Sequence, residues 1–197
     1  AFCIPNYVDV DMFLDRAKIT RNYSRLIVGF LGRLVSQKNL ENLIIAAAGL
    51  PVDLVIIGDG NLDVRLRALA SSHSVPCQFL GRMDQKKAIA VLHDCDCFVL
   101  PSTYEGHPKA LLEAMALGMP VLGSRVPGIE DEIQDKVTGL LVPPTARGLR
   151  TGLKNIIGMS TGDRLEMGNA ARACIFEKYS LNKILVKELD LFGNLTH

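Results

Sequence analysis

The chain has 197 residues, enough for one domain with a full hydrophobic core. Hydrophobic residues make up 48% and charged residues 22%, a globular composition that excludes an intrinsically disordered chain. The 22 basic and 21 acidic residues leave a net charge of +1, which excludes a nucleic-acid footprint and a polybasic membrane arm.

Short apolar runs alternate with helix-length periodic segments. Leu26 to Leu31 reads as a buried strand, followed by a helix over Asn39 to Leu50 that Asn39 opens. Val52 to Ile57 is a second strand, ended by the turn Gly58-Asp59-Gly60, and Leu62 to Ser71 is the next helix. Cys77 to Leu80 is a third strand, with a helix over Gln85 to His93 after it. Cys97 to Leu100 is a fourth, then comes a helix after Pro108, then Val121-Leu122 and Leu140 to Val142 as fifth and sixth strands. Helices over Ala146 to Ile157 and Asp163 to Tyr179 follow. A last helix starts near Ser180, with Leu181, Ile184, Leu185, Leu189 and Phe192 forming an apolar stripe.

Near-continuous apolar strands alternating with helices imply a parallel sheet covered on both faces. Right-handed crossovers make this a doubly wound, Rossmann-like α/β domain. Ligands of such sheets bind beyond the carboxyl ends of the strands, here the loops after Leu31, Ile57, Leu80, Leu100 and Leu122. The longest apolar stretch, Leu43 to Gly58, is broken by Pro51 and Asp53, so it reads as helix, turn and strand instead of a membrane span.

The densest chemistry lies in Tyr104 to Val121, Y-E-G-H-P-K-A-L-L-E-A-M-A-L-G-M-P-V. Glu105 is expected in the loop mouth, and Glu113 on the helix among Leu111, Leu112, Ala114 and Met115. A carboxylate in apolar company needs a partner, and a sugar diol is one such partner. The helix N-terminus between the two acids is a phosphate-binding element. Lys109 and Glu113 also form an i, i+4 pair that a plain surface salt bridge would explain, although Lys before Glu is the weaker order.

After the first strand, G-R-L-V-S-Q-K-N (Gly32 to Asn39) lacks the second and third glycines of a dinucleotide fingerprint. It offers Gly32 for close approach and two cations, Arg33 and Lys38. Alone it reads as an ordinary polar loop. Beside a phosphate-binding helix end it suits a diphosphate, each charge-assisted hydrogen bond contributing roughly 1.5–3 kcal/mol. Asp94-Cys95-Asp96 spells D-x-D, a pattern that binds metal and nucleotide diphosphate in some enzymes, but it precedes a strand at the far end of the sheet and reads as a strand-entry turn. His107 either touches a substrate sugar or caps its own loop. Lys86-Lys87 and Arg65/Arg67 read as solvated helix faces. The five cysteines (Cys3, Cys77, Cys95, Cys97, Cys174) are odd in number, which argues against a disulfide framework and for a reducing compartment. Cys95-x-Cys97 has no second half and the four histidines are scattered, so no metal site is read.

Five segments occur in order: G-R-L-V-S-Q-K-N, V-I-I-G-D-G, F-L-G-R-M, F-V-L-P-S-T-Y-E-G-H-P-K-A-L-L-E-A-M-A-L-G-M-P-V and T-G-L-L-V-P-P. Together they resemble the carboxyl-terminal, donor-binding domain of GT-B glycosyltransferases of family 4, the group 1 type, from about Ile4 to Tyr179. The resemblance implies a nucleoside-diphosphate sugar as donor substrate, no cofactor, and retaining, metal-independent hexosyl transfer in bacterial surface polysaccharide or glycolipid synthesis. It places Gly32, Arg33 and Lys38 at the diphosphate, and Glu105 at the donor sugar. Backbone amides around Gly106, His107, Lys109, Ala110 and Leu111 would hold the sugar and distal phosphate. Glu113 would take the ribose hydroxyls, and Arg82 and Met83 would border the base. Glu105, Arg33 and Lys38 are the catalytic candidates, the two cations stabilising the departing nucleoside diphosphate.

The chain departs from the family pattern at three points. Thr145 stands where relatives often carry an acid, and Pro108 has no amide hydrogen to give. The amino-terminal domain that binds a sugar or lipid-linked acceptor is missing. C-I-P-N-Y-V-D-V-D-M-F and the absent initial methionine fit a linker over 1–20, followed by a nucleotide-sugar-binding domain over 21–179 and a helix over 180–197 that crosses back. The whole protein is expected in the cytoplasm, with peripheral contact at the inner face of the membrane through its first domain. This chain alone is expected to bind donor weakly and to transfer no sugar. A non-catalytic nucleotide-sugar sensor or scaffold and a GT-B sugar-nucleotide epimerase are the alternatives at this stage.

Overall fold

A computed structural model describes residues 25–179, so the expected linker over 1–20 and helix over 180–197 lie outside the described residues. Six strands form the sheet: β1 (Leu26–Leu31), β2 (Val52–Ile57), β3 (Cys77–Gly81), β4 (Cys97–Leu100), β5 (Val121–Ser124) and β6 (Leu140–Val142). The helices are α1 (Leu40–Ala47), α2 (Asp63–Ser72), α3 (Gln85–His93), α4 (Lys109–Ala116), α5 (Ala146–Gly158) and α6 (Thr161–Tyr179). Every strand pairing is parallel, and the order across the sheet is β3-β2-β1-β4-β5-β6. The doubly wound, Rossmann-like α/β fold expected from the alternation is the fold observed.

Burial explains why these runs become strands. Residues on both faces of β2 and β4, including Leu54, Val55, Ile56, Phe98 and Val99, are inaccessible to solvent, as a central parallel strand requires. Helices α1, α2 and α5 pack together on one side, and α3, α4 and α6 on the other. The chain winds outward from β1 to β3, then returns to β4 beside β1 and winds outward the other way. That reversal opens a crevice beyond the carboxyl ends of β1 and β4.

One expectation is corrected by the backbone. Asn39 stands at the N-cap position of α1 as expected, but the helix does not run to Leu50 and the cap is not made by the side chain. A 3-10 turn over Ser36–Lys38 precedes it, Asn39 itself takes a left-handed conformation (φ 56°), and its side chain caps nothing. Helix α1 stops at Ala47, three residues early, because Gly49 turns left-handed (φ 70°) and Arg150 from α5 takes the last carbonyls. The Arg150 Nη1 donates to the carbonyls of Ala46 (2.9 Å) and Ala48 (2.6 Å), so a cation satisfies the helix end.

Candidate functional site

The loops after β1 and β4 are tied to each other side by side. The Asn39 Nδ2 donates to the Pro101 carbonyl at 2.9 Å and to the Pro144 carbonyl at 3.0 Å, joining the ends of β1, β4 and β6. Next to it, the Thr103 amide donates to the Gln37 carbonyl (2.9 Å) and the Gln37 Nε2 donates to the Tyr104 carbonyl (2.7 Å). The turn after β2 closes on the same loop. The Leu34 amide donates to the Asp59 carbonyl at 2.7 Å, and a Cβ at Gly58 (φ 132°) would lie 1.9 Å from the Gly32 carbonyl oxygen. Only glycine permits that approach.

These ties form a cleft of about 380 Å³ lined by Gly32, Arg33, Lys38, Glu105, His107, Lys109, Ala110 and Glu113, among others. A second cavity of about 370 Å³ adjoins it, lined by Gly58, Asp59, Arg82 and Met83. Gly32 and Arg33 line both, so Arg33 stands at the junction of two compartments. Of the residues placed at the donor from sequence, Gly106 and Leu111 line neither space: Gly106 is exposed in the turn before α4, and Leu111 is buried in α4.

The amides at the start of α4 divide into two sets. Those of Lys109 and Leu111 are already bonded, to the carbonyls of His107 (3.0 Å) and Pro108 (2.9 Å). The amides of Gly106, His107 and Ala110 have no acceptor among the described residues. The expectation that all five amides serve an anion therefore narrows to these three.

The charges are arranged unevenly. Arg33 is exposed and has no ion pair among the described residues. Lys38 is held by Glu105, Nζ to Oε1 at 2.5 Å, and the Ser102 hydroxyl donates to the same oxygen at 2.6 Å. Glu105 is only 7% exposed, so it forms a wall of the cleft and not the open mouth expected for it. Glu113 is 4% exposed, accepts from the Gln85 Nε2 at 2.6 Å, and lies 3.9 Å from the Lys109 ammonium. Burial pushes the Glu113 carboxyl above the usual glutamate range, with Lys109 and Gln85 opposing that shift. The His107 ring meets Tyr179 edge-on at 6.0 Å, and its buried Nε2 has no partner among the described residues.

Asp96 lies at the other end of the sheet, where its carboxylate accepts from the Ile27 amide (2.7 Å) and its own amide donates to the Ile27 carbonyl (2.8 Å). The D-x-D is a strand-entry feature. Ser102 and Gln85 went unread in the sequence, because a lone serine or glutamine carries no signal of what it will touch.

Residues 11–173 match the family model described as glycosyl transferases group 1. The chain belongs to that family. A GDP-mannose-dependent alpha-mannosyltransferase of Mycolicibacterium smegmatis is 31% identical over 177 residues, spanning 87% of this chain and 46% of that relative. The lipopolysaccharide core biosynthesis glycosyltransferase LpsE of Rhizobium meliloti is 30% identical over 178 residues, spanning 84% and 52%. Among solved structures, sucrose-phosphate synthase of Thermosynechococcus elongatus superposes with a TM-score of 0.87 at 24% identity, covering 98% of this chain and 52% of that one. Anabaena HepE in complex with UDP and glucose gives 0.84 at 20% identity, covering 96% and 56%. This member of the glycosyl transferases group 1 family thus spans about half the length of the curated relatives it matches. Among its described residues, no helix is long and apolar enough to cross a membrane.

Proposed function

We propose that this chain is the carboxyl-terminal, donor-binding domain of a retaining, metal-independent glycosyltransferase of family 4 that takes a nucleoside-diphosphate hexose. The observation that carries this reading is the cleft at the β1–β4 reversal, where Arg33, Lys38, Glu105, Glu113 and the unbonded amides of His107 and Ala110 converge. The GDP-mannose dependence of a relative and the UDP complex of a structural neighbour support a nucleoside diphosphate as the common element. In this reading residues 1–20 link to an acceptor-binding domain, 21–179 bind donor, and 180–197 cross back. The name of LpsE supports a surface-glycan acceptor, with the reaction on the cytoplasmic side of the membrane.

The chemistry follows from charge. As the bond between the anomeric carbon and the distal phosphate oxygen breaks, negative charge accumulates on the nucleoside diphosphate. Arg33, Lys38 and the amides of His107 and Ala110 line the cleft where it develops, so they stabilise it electrostatically. Glu113, costly to ionise where it is, gains hydroxyl donors from the ribose. Glu105 faces the sugar, and the Arg82–Met83 cavity takes the base. Calorimetry on the chain with GDP, GDP-mannose, UDP and UDP-glucose is expected to find a binder. Arg33→Ala should weaken that binding about 10-fold, the loss of one charge-assisted hydrogen bond. No binding by any of the four, or full affinity in Arg33→Ala, would count against the assignment. Transfer by the full-length protein should continue in excess EDTA.

A further inference from the structure

Ser102 has no role in the reading so far, yet it is buried directly behind Glu105 and flanked by bonded backbone groups. It is fully buried, two residues beyond the end of β4. The residue before it is anchored through the Pro101 carbonyl to Asn39, and the residue after it through the Thr103 amide to Gln37. Its hydroxyl donates to Glu105 Oε1 at 2.6 Å, a charge-assisted length, and Lys38 occupies the same oxygen. Two donors on Oε1 leave Oε2 without a partner among the described residues. The Lys38 ammonium hangs on four side-chain torsions, whereas the Ser102 hydroxyl is one torsion from an anchored backbone, so the serine sets the direction of the carboxylate.

We propose that Ser102 is a positioning residue for Glu105: it locks one carboxylate oxygen so that the other is held ready for a hydroxyl of the donor sugar. Without it, Glu105 and Lys38 can swing as a pair, and ordering them is charged to sugar binding. The inference rests on the donor-site reading above and adds a residue to it. Sugar recognition should then depend on Ser102 while nucleotide recognition does not.

The test measures affinities of the full chain for two pairs, GDP with GDP-mannose and UDP with UDP-glucose. Ser102→Ala is expected to weaken binding of the sugar nucleotide about 10-fold and of the matching diphosphate less than about 3-fold. In a Glu105→Gln background the same substitution should add less than about 2-fold, because the serine acts through that carboxylate. Equal loss for both members of a pair, or a full effect persisting in Glu105→Gln, overturns the proposal. Should Ser102→Ala not fold, Ser102→Cys keeps nearly the same shape with a weaker donor and is read by the same criteria. If the unaltered chain binds none of the four ligands, the donor-site reading fails and takes this inference with it. Binding by the unaltered chain with unselective loss in the variant sinks this inference alone.

Discussion

Glu113 is a buried carboxylate that costs the fold stability, and in the proposed function it is kept for recognition of the ribose. Its carboxyl is buried, and desolvation raises its pKa in the folded chain above the usual value of 4.5. A raised folded pKa contributes stability that is fully present below the unfolded pKa and is lost as pH rises through the folded one. At neutral pH, then, the ionised Glu113 weakens the fold. Glu113→Gln keeps the shape and an oxygen that can accept from Gln85, but removes the charge. It should raise Tm by about 2 °C near pH 7.5, a response fitting roughly 1 kcal/mol in a chain of this size. The gain should shrink as pH falls through the raised folded value and disappear below 4.5, where the carboxyl takes up its proton in the folded and the unfolded chain alike. The same substitution should weaken nucleotide binding. Scanning calorimetry at several pH values, beside titration calorimetry, checks both halves. A lower Tm at neutral pH would mean that Lys109 and Gln85 outweigh desolvation.

At the scale of elements, the site is made by loops that brace one another, and glycines mark the contacts. Gly128, after β5, has φ 82°, and a Cβ there would lie 2.2 Å from the Glu105 carbonyl oxygen. Gly81, at the end of β3, has φ 68° and nothing within 4 Å of a Cβ. Gly81→Ala should therefore lose only the left-handed strain, about 1–2 kcal/mol. Gly128→Ala carries the same strain plus a backbone clash, so it should lose more than about 3 kcal/mol and displace Glu105. Urea denaturation of the pair separates the two contributions, and equal losses would show that the loop after β5 yields freely. The six strands and helix α4 were legible in the sequence because apolar runs and the Glu105–Glu113 spacing are local signals. Asn39 was not. Read locally it is a helix cap, but its acceptors Pro101 and Pro144 lie 62 and 105 residues away. Ser102 and Gln85 escaped for a related reason: their roles exist only once other segments arrive. The pairing of Lys38 with Glu105 across 67 residues was equally out of reach of local pattern.

For the molecule as a whole, the reversal that creates the site also creates a narrow seam. β1 and β2 register over six residue pairs, whereas β1 and β4 share Val28↔Cys97 and Gly29↔Phe98. The two halves of the sheet meet there, and Asn39 is the most buried of the side chains, with Gln37 and Lys38, that bridge their carboxyl-end loops. It is 8% exposed, donates two hydrogen bonds from one nitrogen, and accepts from the Asn42 Nδ2 at 2.8 Å. Asn39→Asp is nearly isosteric and tolerates the left-handed backbone, so neither packing nor strain should change. What changes is sign: an oxygen replaces the nitrogen and faces two carbonyl oxygens it cannot bond. The loss should be about 3 kcal/mol, from two missing hydrogen bonds and an unpaired buried charge. Such a carboxyl holds its proton more tightly in the folded chain than in the unfolded one. The charge part of its penalty is therefore absent below the ordinary aspartate range and grows as pH rises through the folded value, while a protonated carboxyl restores only one of the two hydrogen bonds. Denaturant midpoints for Asn39→Asp and the unaltered chain should lie closer near pH 3.5 than at pH 7, with little change in slope. A saturating nucleotide that spans both loops should return part of the lost stability, because it binds only the state in which the seam is closed. If the midpoints coincide across the whole pH range, the seam is held by the sheet alone and Asn39 is incidental to the site.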